Sequence, residues 1–451
     1  MSNVWIDRFT SLTRDDVRRL SAFQPKPLTG LRKMHYSDAA GLLDVAGRDL
    51  FVPTHQNVEL MLSWLAIAGG HCRRTYPDSR TIRAAFQSGA TVFPSYLPRC
   101  LTGLAGTGKT SLFEAFNRIL SARTMINLGA GFQDYALQAT VYVKMQKALS
   151  KTQFLKAFLE AISPDSAELA VKNLLRELLL KMHRYGVGFA ISDEFQHASG
   201  SAVANTIATQ LLLQKTSFCV PNLFATNFSM CHKLLRRPQE DRDRLFSNVT
   251  VIEPDAIKSQ DWIDTVEGYL NIIPEESEGL QLTEVADYLY PRTFGLKRQL
   301  ALLLRIAYIV MHRSGDKRIH PAHIDQAYKS REYSAARDDV EILQRQAAIR
   351  HCLKKDLWCP FQGSANTSAT AGDSTKATFT YSVARAMVDS TVNAGQQDDE
   401  GQPKTPRAGR AYKARQSAVS DNDNVVPIKG TLADQFEAGM AEIRDGLKPK
   451  R

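Results

Sequence analysis

At 451 residues the chain is too long for one small domain, and about two or three are expected. Apolar residues make up 43% of it, enough for a real core, while 57 Lys and Arg against 47 Asp and Glu leave a formal net charge of +10, which favours an acidic partner such as nucleic acid. Cys72, Cys100, Cys219, Cys231, Cys352 and Cys359 are scattered with no C-x-x-C pair, which argues against a zinc site or a disulfide framework. No run approaches the ~18 apolar residues that span a bilayer, and the polar start "MSNVWIDRFTSLTRDD" has no signal-type core, so a soluble cytoplasmic protein is expected.

Residues 1–90 read as a mixed, partly helical segment, with helices predicted over 57–69 and 78–89. Basic residues recur close by, at Arg73, Arg74, Arg80, Arg83 and Arg99. From 91 to 257, strand-like and helix-like stretches alternate, the pattern of a parallel α/β sheet. The strands are expected at 99–102, 139–145, 188–192, 222–226 and 248–253, and the helices near 109–121, 152–162, 166–185, 203–214 and 230–236. Residues 258–360 turn wholly helical, most clearly in "GLKRQLALLLRIAYIVMHRSG", and suggest a lid domain followed by a helix over 336–355. Residues 361–430 are poor in large apolar side chains and read as a disordered linker. Residues 431–451 end the chain, with Leu432, Phe436, Met440 and Ile443 at helical spacing over 431–447, as in a partner-docking helix.

The stretch "LTGLAGTGKT" satisfies G-x-x-x-x-G-K-[ST] between an expected strand and an expected helix. Backbone amides of Gly103, Ala105, Gly106, Thr107, Gly108 and Ser111 would curl around phosphates, with Lys109 on the β- and γ-phosphates and the Thr110 hydroxyl on Mg²⁺. In "GVGFAISDEFQHASG" an apolar strand closes on two carboxylates. Asp193 would join Thr110 in the magnesium shell, and Glu194 would polarise the attacking water. The strand "NLFAT" closes on Thr226 and Asn227, where a polar side chain either senses the γ-phosphate or caps the next helix. In "RRPQEDRDRLF", Arg242 or Arg244 is a candidate arginine finger between subunits, with a solvated basic face as the alternative. Gly295-x-x-Arg298 has the form of a lid sensor whose arginine reaches the nucleotide, or of an ordinary first-turn arginine. Taken in order, these elements predict an α/β AAA+ P-loop ATPase core with a helical lid, using ATP and Mg²⁺.

The sequences "LLRELLLKMHRYGVGFAISDEFQHAS", "VYVKMQ" and "RRPQEDRDRLF" resemble the TnsC/TniB family of transposition regulators, themselves related to MuB-like target-DNA activators. The resemblance covers about residues 45–335, and its most specific part is Asp193-Glu194-Phe195-Gln196-His197. Two departures stand out: Ser192 occupies a strand position that is usually aliphatic, and the long C-terminal extension is not general in the family. The resemblance implies ATP-dependent oligomerisation, as a ring or helical filament, on double-stranded DNA without base reading, bridging a target-selection protein and a transposase. Two alternatives stay open at this point. One is a replication-initiator or helicase-loader ATPase, which a winged helix after the lid would favour. The other is a nucleotide-switched signalling or defence scaffold.

Overall fold

The computed structural model describes residues 3–87, 93–120, 124–127, 135–145, 149–163, 173–195 and 202–361. All of them belong to one compact unit, Met1–Gln396, while a second unit, Gln397–Arg451, lies outside the described residues. The predicted linker from 362 onward and the predicted docking helix are therefore outside them, as are Gln196 and His197.

The N-terminal segment holds five helices: α1 (Val4–Thr10), α2 (Arg14–Ser21), α3 (Tyr36–Asp49), α4 (His55–Thr75) and α5 (Ser79–Gln87). Only the last two were expected. Helix α2 starts on a capping box in which Thr13 and Asp16 satisfy each other's backbone amides. Helix α4 is capped by the Thr54 side chain on the Asn57 amide and continues through Gly69 to Thr75, six residues past the expected end at 69. A β-carbon at Gly69 would stand 2.8 Å from the Thr10 methyl, so this glycine lets α1 lie close against α4.

The next stretch runs β1 (Arg99–Gly103), α6 (Lys109–Ile119), β2 (Thr124–Ile126), β3 (Tyr135–Leu137), β4 (Thr140–Lys144), α7 (Lys151–Ile162), α8 (Leu174–Arg184), β5 (Phe189–Asp193), α9 (Ala202–Gln214), β6 (Asn222–Ala225), α10 (Phe228–Leu234), α11 (Gln239–Phe246) and β7 (Val249–Ile252). The five expected strands form one parallel sheet of order β4-β5-β6-β1-β7. The antiparallel pair β2–β3 and helix α11 were not foreseen. Both are short and carry little apolar periodicity, so the sequence signal is weak.

Each face of the sheet has its own core, as the two-residue period of a strand requires. Phe189 and Ile191 of β5 join Trp64, Phe113 and Phe116 on one face. Ala190 of the same strand joins Val141, Phe154, Phe158 and Phe218 on the other.

The remaining helices are α12 (Gln260–Leu270), α13 (Pro274–Ser277), α14 (Leu282–Thr293), α15 (Lys297–Ser314), α16 (Pro321–Lys329) and α17 (Ser334–Ile349). They enclose a third core of Trp262, Leu303 and Tyr308, which also takes in Leu31, Ala39 and Ala46 of the N-terminal segment. Helix α17 stops short of the expected end because Arg350 turns to φ +51°, and a 3-10 turn follows at Lys355–Leu357. Among the described residues no helix is long and apolar enough to cross a membrane.

Candidate nucleotide site

Strand β1 ends at Gly103 and α6 begins at Lys109, so the intervening loop must reverse within five residues. Glycine is required twice for conformation, at Gly106 (φ +92°) and Gly108 (φ +89°). At Gly103 the reason is space, since a β-carbon would meet the Ile252 carbonyl oxygen at 2.5 Å. Thr107 braces the loop by donating its hydroxyl to the Leu104 carbonyl at 3.0 Å. The Lys109 ammonium donates to the carbonyls of Gly103 at 2.9 Å and Leu104 at 2.8 Å. Burial pushes that ammonium down to about 8, against the opposing pull of the Asp193 carboxylate.

The β5–β6 and β6–β1 pairings bring the acidic strand end to this loop. The Thr110 hydroxyl donates to Asp193 Oδ2 at 2.7 Å, and the Tyr142 hydroxyl donates to the same oxygen at 3.2 Å. The other oxygen, Oδ1, accepts the Glu194 amide at 2.7 Å. Asp193 is 1% exposed, and burial raises its carboxyl above the usual range while these hydrogen bonds pull it back. The Tyr142 hydroxyl is driven up in turn, first by burial and then by the Asp193 charge.

Glu194 leaves the strand in the left-handed region at φ +54°, unusual for a residue with a side chain. Its Oε1 lies 3.8 Å from Lys144 Nζ, because β4 runs parallel to β5 with Lys144 opposite Asp193. Asn227 caps α10 by accepting the Met230 amide at 3.0 Å, the capping alternative, and it also lines the cleft.

Helix α15 closes the cleft from above. The Arg298 amide donates to the Gly106 carbonyl at 3.3 Å, and a β-carbon at Gly106 would meet Arg298 Cβ at 2.9 Å. Lys297 Nζ stands 3.7 Å from the Asp255 carboxylate, whose pKa burial raises and this cation lowers. Asp44, Gly47 and Arg48 of α3, with Leu50, Phe51 and Val52 after it, complete the lining together with Tyr269 and Leu302.

The cavity measures about 840 Å³, within the range of small-molecule sites. Its lining combines polar side chains, among them Lys109, Thr110, Ser111, Asp193, Glu194 and Arg298, with the apolar Leu50, Phe51, Val52 and Leu302. Thr110 and Asp193 present hard oxygen donors from two elements, and among the described residues no group of three or more His, Cys, Asp or Glu could hold a metal alone. That sparse donor set suits Mg²⁺, which binds through one or two carboxylates plus substrate phosphates.

Of the residues singled out from sequence, Ala105, Gly106, Gly108, Lys109, Thr110, Ser111, Asp193, Glu194, Asn227 and Arg298 line this one cleft, and Gly103 and Thr107 shape its loop. Arg242 and Arg244 do not line it; they stand exposed on α11. The sequence did not point to Tyr142, Lys144, Lys297, Asp44 or Arg48. The alternation in "VYVK" puts 142 and 144 on one strand face, but only the pairing of β4 with β5 brings them to Asp193.

A parallel sheet of this order, with a phosphate loop after one central strand and an Asp-Glu end on another, defines an AAA+ P-loop fold. Residues 98–227 match the family model of an AAA domain. No curated protein matches the chain. Among solved structures, the chain is similar to the Aeropyrum pernix ORC2 protein in its ADP form, at 14% identity and TM-score 0.39, over 61% of this chain and 73% of that one. It is similar to the Aeropyrum pernix ORC1 protein in complex with DNA, at 16% identity and TM-score 0.37, over 63% and 68%. The Thermotoga maritima RuvB Holliday junction branch migration motor follows at 12% identity and TM-score 0.32, over 63% and 78%.

Proposed function

We propose that the chain is an ATPase that assembles on double-stranded DNA in its ATP-bound form and regulates transposition, linking a target-selection protein to a transposase. The observation that carries the ATPase part is the Thr110–Asp193 hydrogen bond at the foot of the phosphate loop, with Glu194 beside it. The adenine base would sit against the apolar lining of Leu50, Phe51, Val52 and Tyr269. The Lys109 ammonium leaves the Gly103 and Leu104 carbonyls for the β- and γ-phosphates, and amides at the start of α6 add their partial charge. Thr110 and Asp193 would hold Mg²⁺, which would supply charge neutralisation at the phosphates. Glu194 takes the proton of the attacking water, Asn227 orients that water, and Arg298 reaches in from the lid. Arg242 or Arg244 of a second copy would complete the site, consistent with their exposure on α11.

Support for the DNA and transposition part comes from the resemblance over residues 45–335 and from the net charge of +10. Glu194→Gln keeps size and removes the base, so ATP binding should persist while turnover collapses. Parental turnover in that variant would move the base elsewhere. DNA affinity should fall log-linearly with salt, by roughly 0.9 in slope for each phosphate contact, and should be indifferent to sequence. Affinity that is flat between about 50 and 200 mM salt would rule out the DNA part.

A further inference from the structure

On the sheet face away from the cleft, directly beneath the end of β5, a lysine is buried without an acid. Lys215 is 0% exposed, and its Nζ donates to Ser192 Oγ at 3.0 Å. The ammonium lies 5.0 and 5.4 Å from the ring centroids of Phe158 and Phe218. Among the described residues no carboxylate pairs with it, and burial alone pushes its pKa down to about 7. A buried cation with so little compensation is one that a well-packed apolar side chain would normally replace at no loss of stability. Packing therefore gives no reason for this lysine, and its contacts suggest another.

Ser192 interrupts an otherwise apolar strand and precedes Asp193. Its hydroxyl donates to the Leu223 carbonyl at 3.3 Å while accepting from Lys215. Ser192 is also the last β5 residue paired with β6, opposite Phe224. On the other side, the Lys215 carbonyl accepts Asn222 Nδ2 at 3.1 Å, at the first residue of β6. One residue thus ties the end of β5 to the start of β6, one position before the carboxylates and two before the left-handed turn at Glu194. Helix α9, which ends immediately before Lys215, also packs on α11, the helix that bears Arg242 and Arg244.

We propose that Lys215 is a positioning residue for hydrolysis: its buried ammonium, held on Ser192, fixes the end of β5 that carries Asp193 and Glu194. This inference rests on the ATPase reading and adds a residue to it that touches neither nucleotide nor metal. The geometry of a water-activating carboxylate is exacting, and a displacement of about 1 Å costs on the order of 100-fold in rate.

The test uses the full chain with Lys215→Met, Ser192→Ala and the double variant. Lys215→Met should fold with stability equal to or above the parent. Its kcat for ATP should fall roughly 10- to 100-fold while KM stays within about twofold. Ser192→Ala should lower kcat in the same sense, and the double variant should be no slower than the slower single one, because the two act as a unit. Amide hydrogen exchange at 191–195 should quicken in both single variants. Parental kcat in Lys215→Met, or losses that simply add, would overturn the proposal. Should Lys215→Met fail to fold, Ser192→Ala, which removes the acceptor of Lys215 along with the donor to the Leu223 carbonyl, decides the matter, parental kcat overturning the proposal. A parental chain without Mg²⁺-dependent ATP turnover would refute the ATPase reading instead. The exchange comparison would then judge the clamp by itself, with faster exchange supporting it and unchanged exchange overturning it.

Discussion

Gly106 is where the phosphate loop and the lid press against each other, and Gly106→Ala tests whether that contact governs nucleotide binding. The position has φ +92°, so a side chain there carries strain of about 1–3 kcal/mol. The new β-carbon would fall 2.7 Å from Gln299 Oε1 and 2.9 Å from Arg298 Cβ. The glutamine amide is the end of a flexible side chain and can swing away. Arg298 Cβ is fixed to the first turn of α15, so relief requires the lid to retreat. Retreat breaks the hydrogen bond from the Arg298 amide to the Gly106 carbonyl, worth about 0.5–1.5 kcal/mol. A loss near 1.4 kcal/mol in the bound state corresponds to about tenfold in affinity. Urea denaturation should therefore show a drop of about 1–3 kcal/mol, and equilibrium binding of a fluorescent ATP analogue should weaken about tenfold. Gly41→Ala in α3 is the control, since nothing stands within 4 Å of its β-carbon, and it should leave both measurements intact or raise stability slightly. Unchanged stability and unchanged affinity in Gly106→Ala would refute this account of the loop.

Thr110→Val removes the hydroxyl that meets Asp193 at 2.7 Å, so half-maximal turnover should require more Mg²⁺, read from an activity titration against the metal. The folded Lys215 ammonium releases its proton near pH 7, whereas the unfolded one holds it to about 10.5. The lysine therefore costs stability in full below pH 7, and parental stability should gain up to ~1.4 kcal/mol per pH unit between those values. Thermal melts of parent and Lys215→Met across pH 6 to 10 should accordingly differ most at the acid end and converge as pH rises, with a constant difference counting against the buried charge.

The phosphate loop and the five parallel strands were legible because their signals are local: glycines at fixed spacing, and apolar runs bounded by turns. The acidic pair at Asp193 and Glu194 was legible for the same reason. Helix α2 was not, since "RDDVRRLS" buries only Val17 and Ser21. Tyr142 and Lys144 meet the acidic strand end only through strand pairing, some fifty residues away in the chain. Ser192 was visible as an oddity in its strand, but nothing in "LLLQKTS" marks its partner Lys215, which only the packing of Phe158 and Phe218 shows to be buried.

Binding of ATP in this cleft through the phosphate loop is tested most directly by equilibrium binding of ATP to Lys109→Ala. The hydrogen bonds that the Lys109 ammonium makes among the described residues stay within its own loop, at 2.9 and 2.8 Å, so its removal should leave the fold intact. A folded variant that has lost ATP binding and ATP-dependent assembly together is the expected result, whereas a folded variant that binds ATP with parental affinity would contradict the nucleotide site.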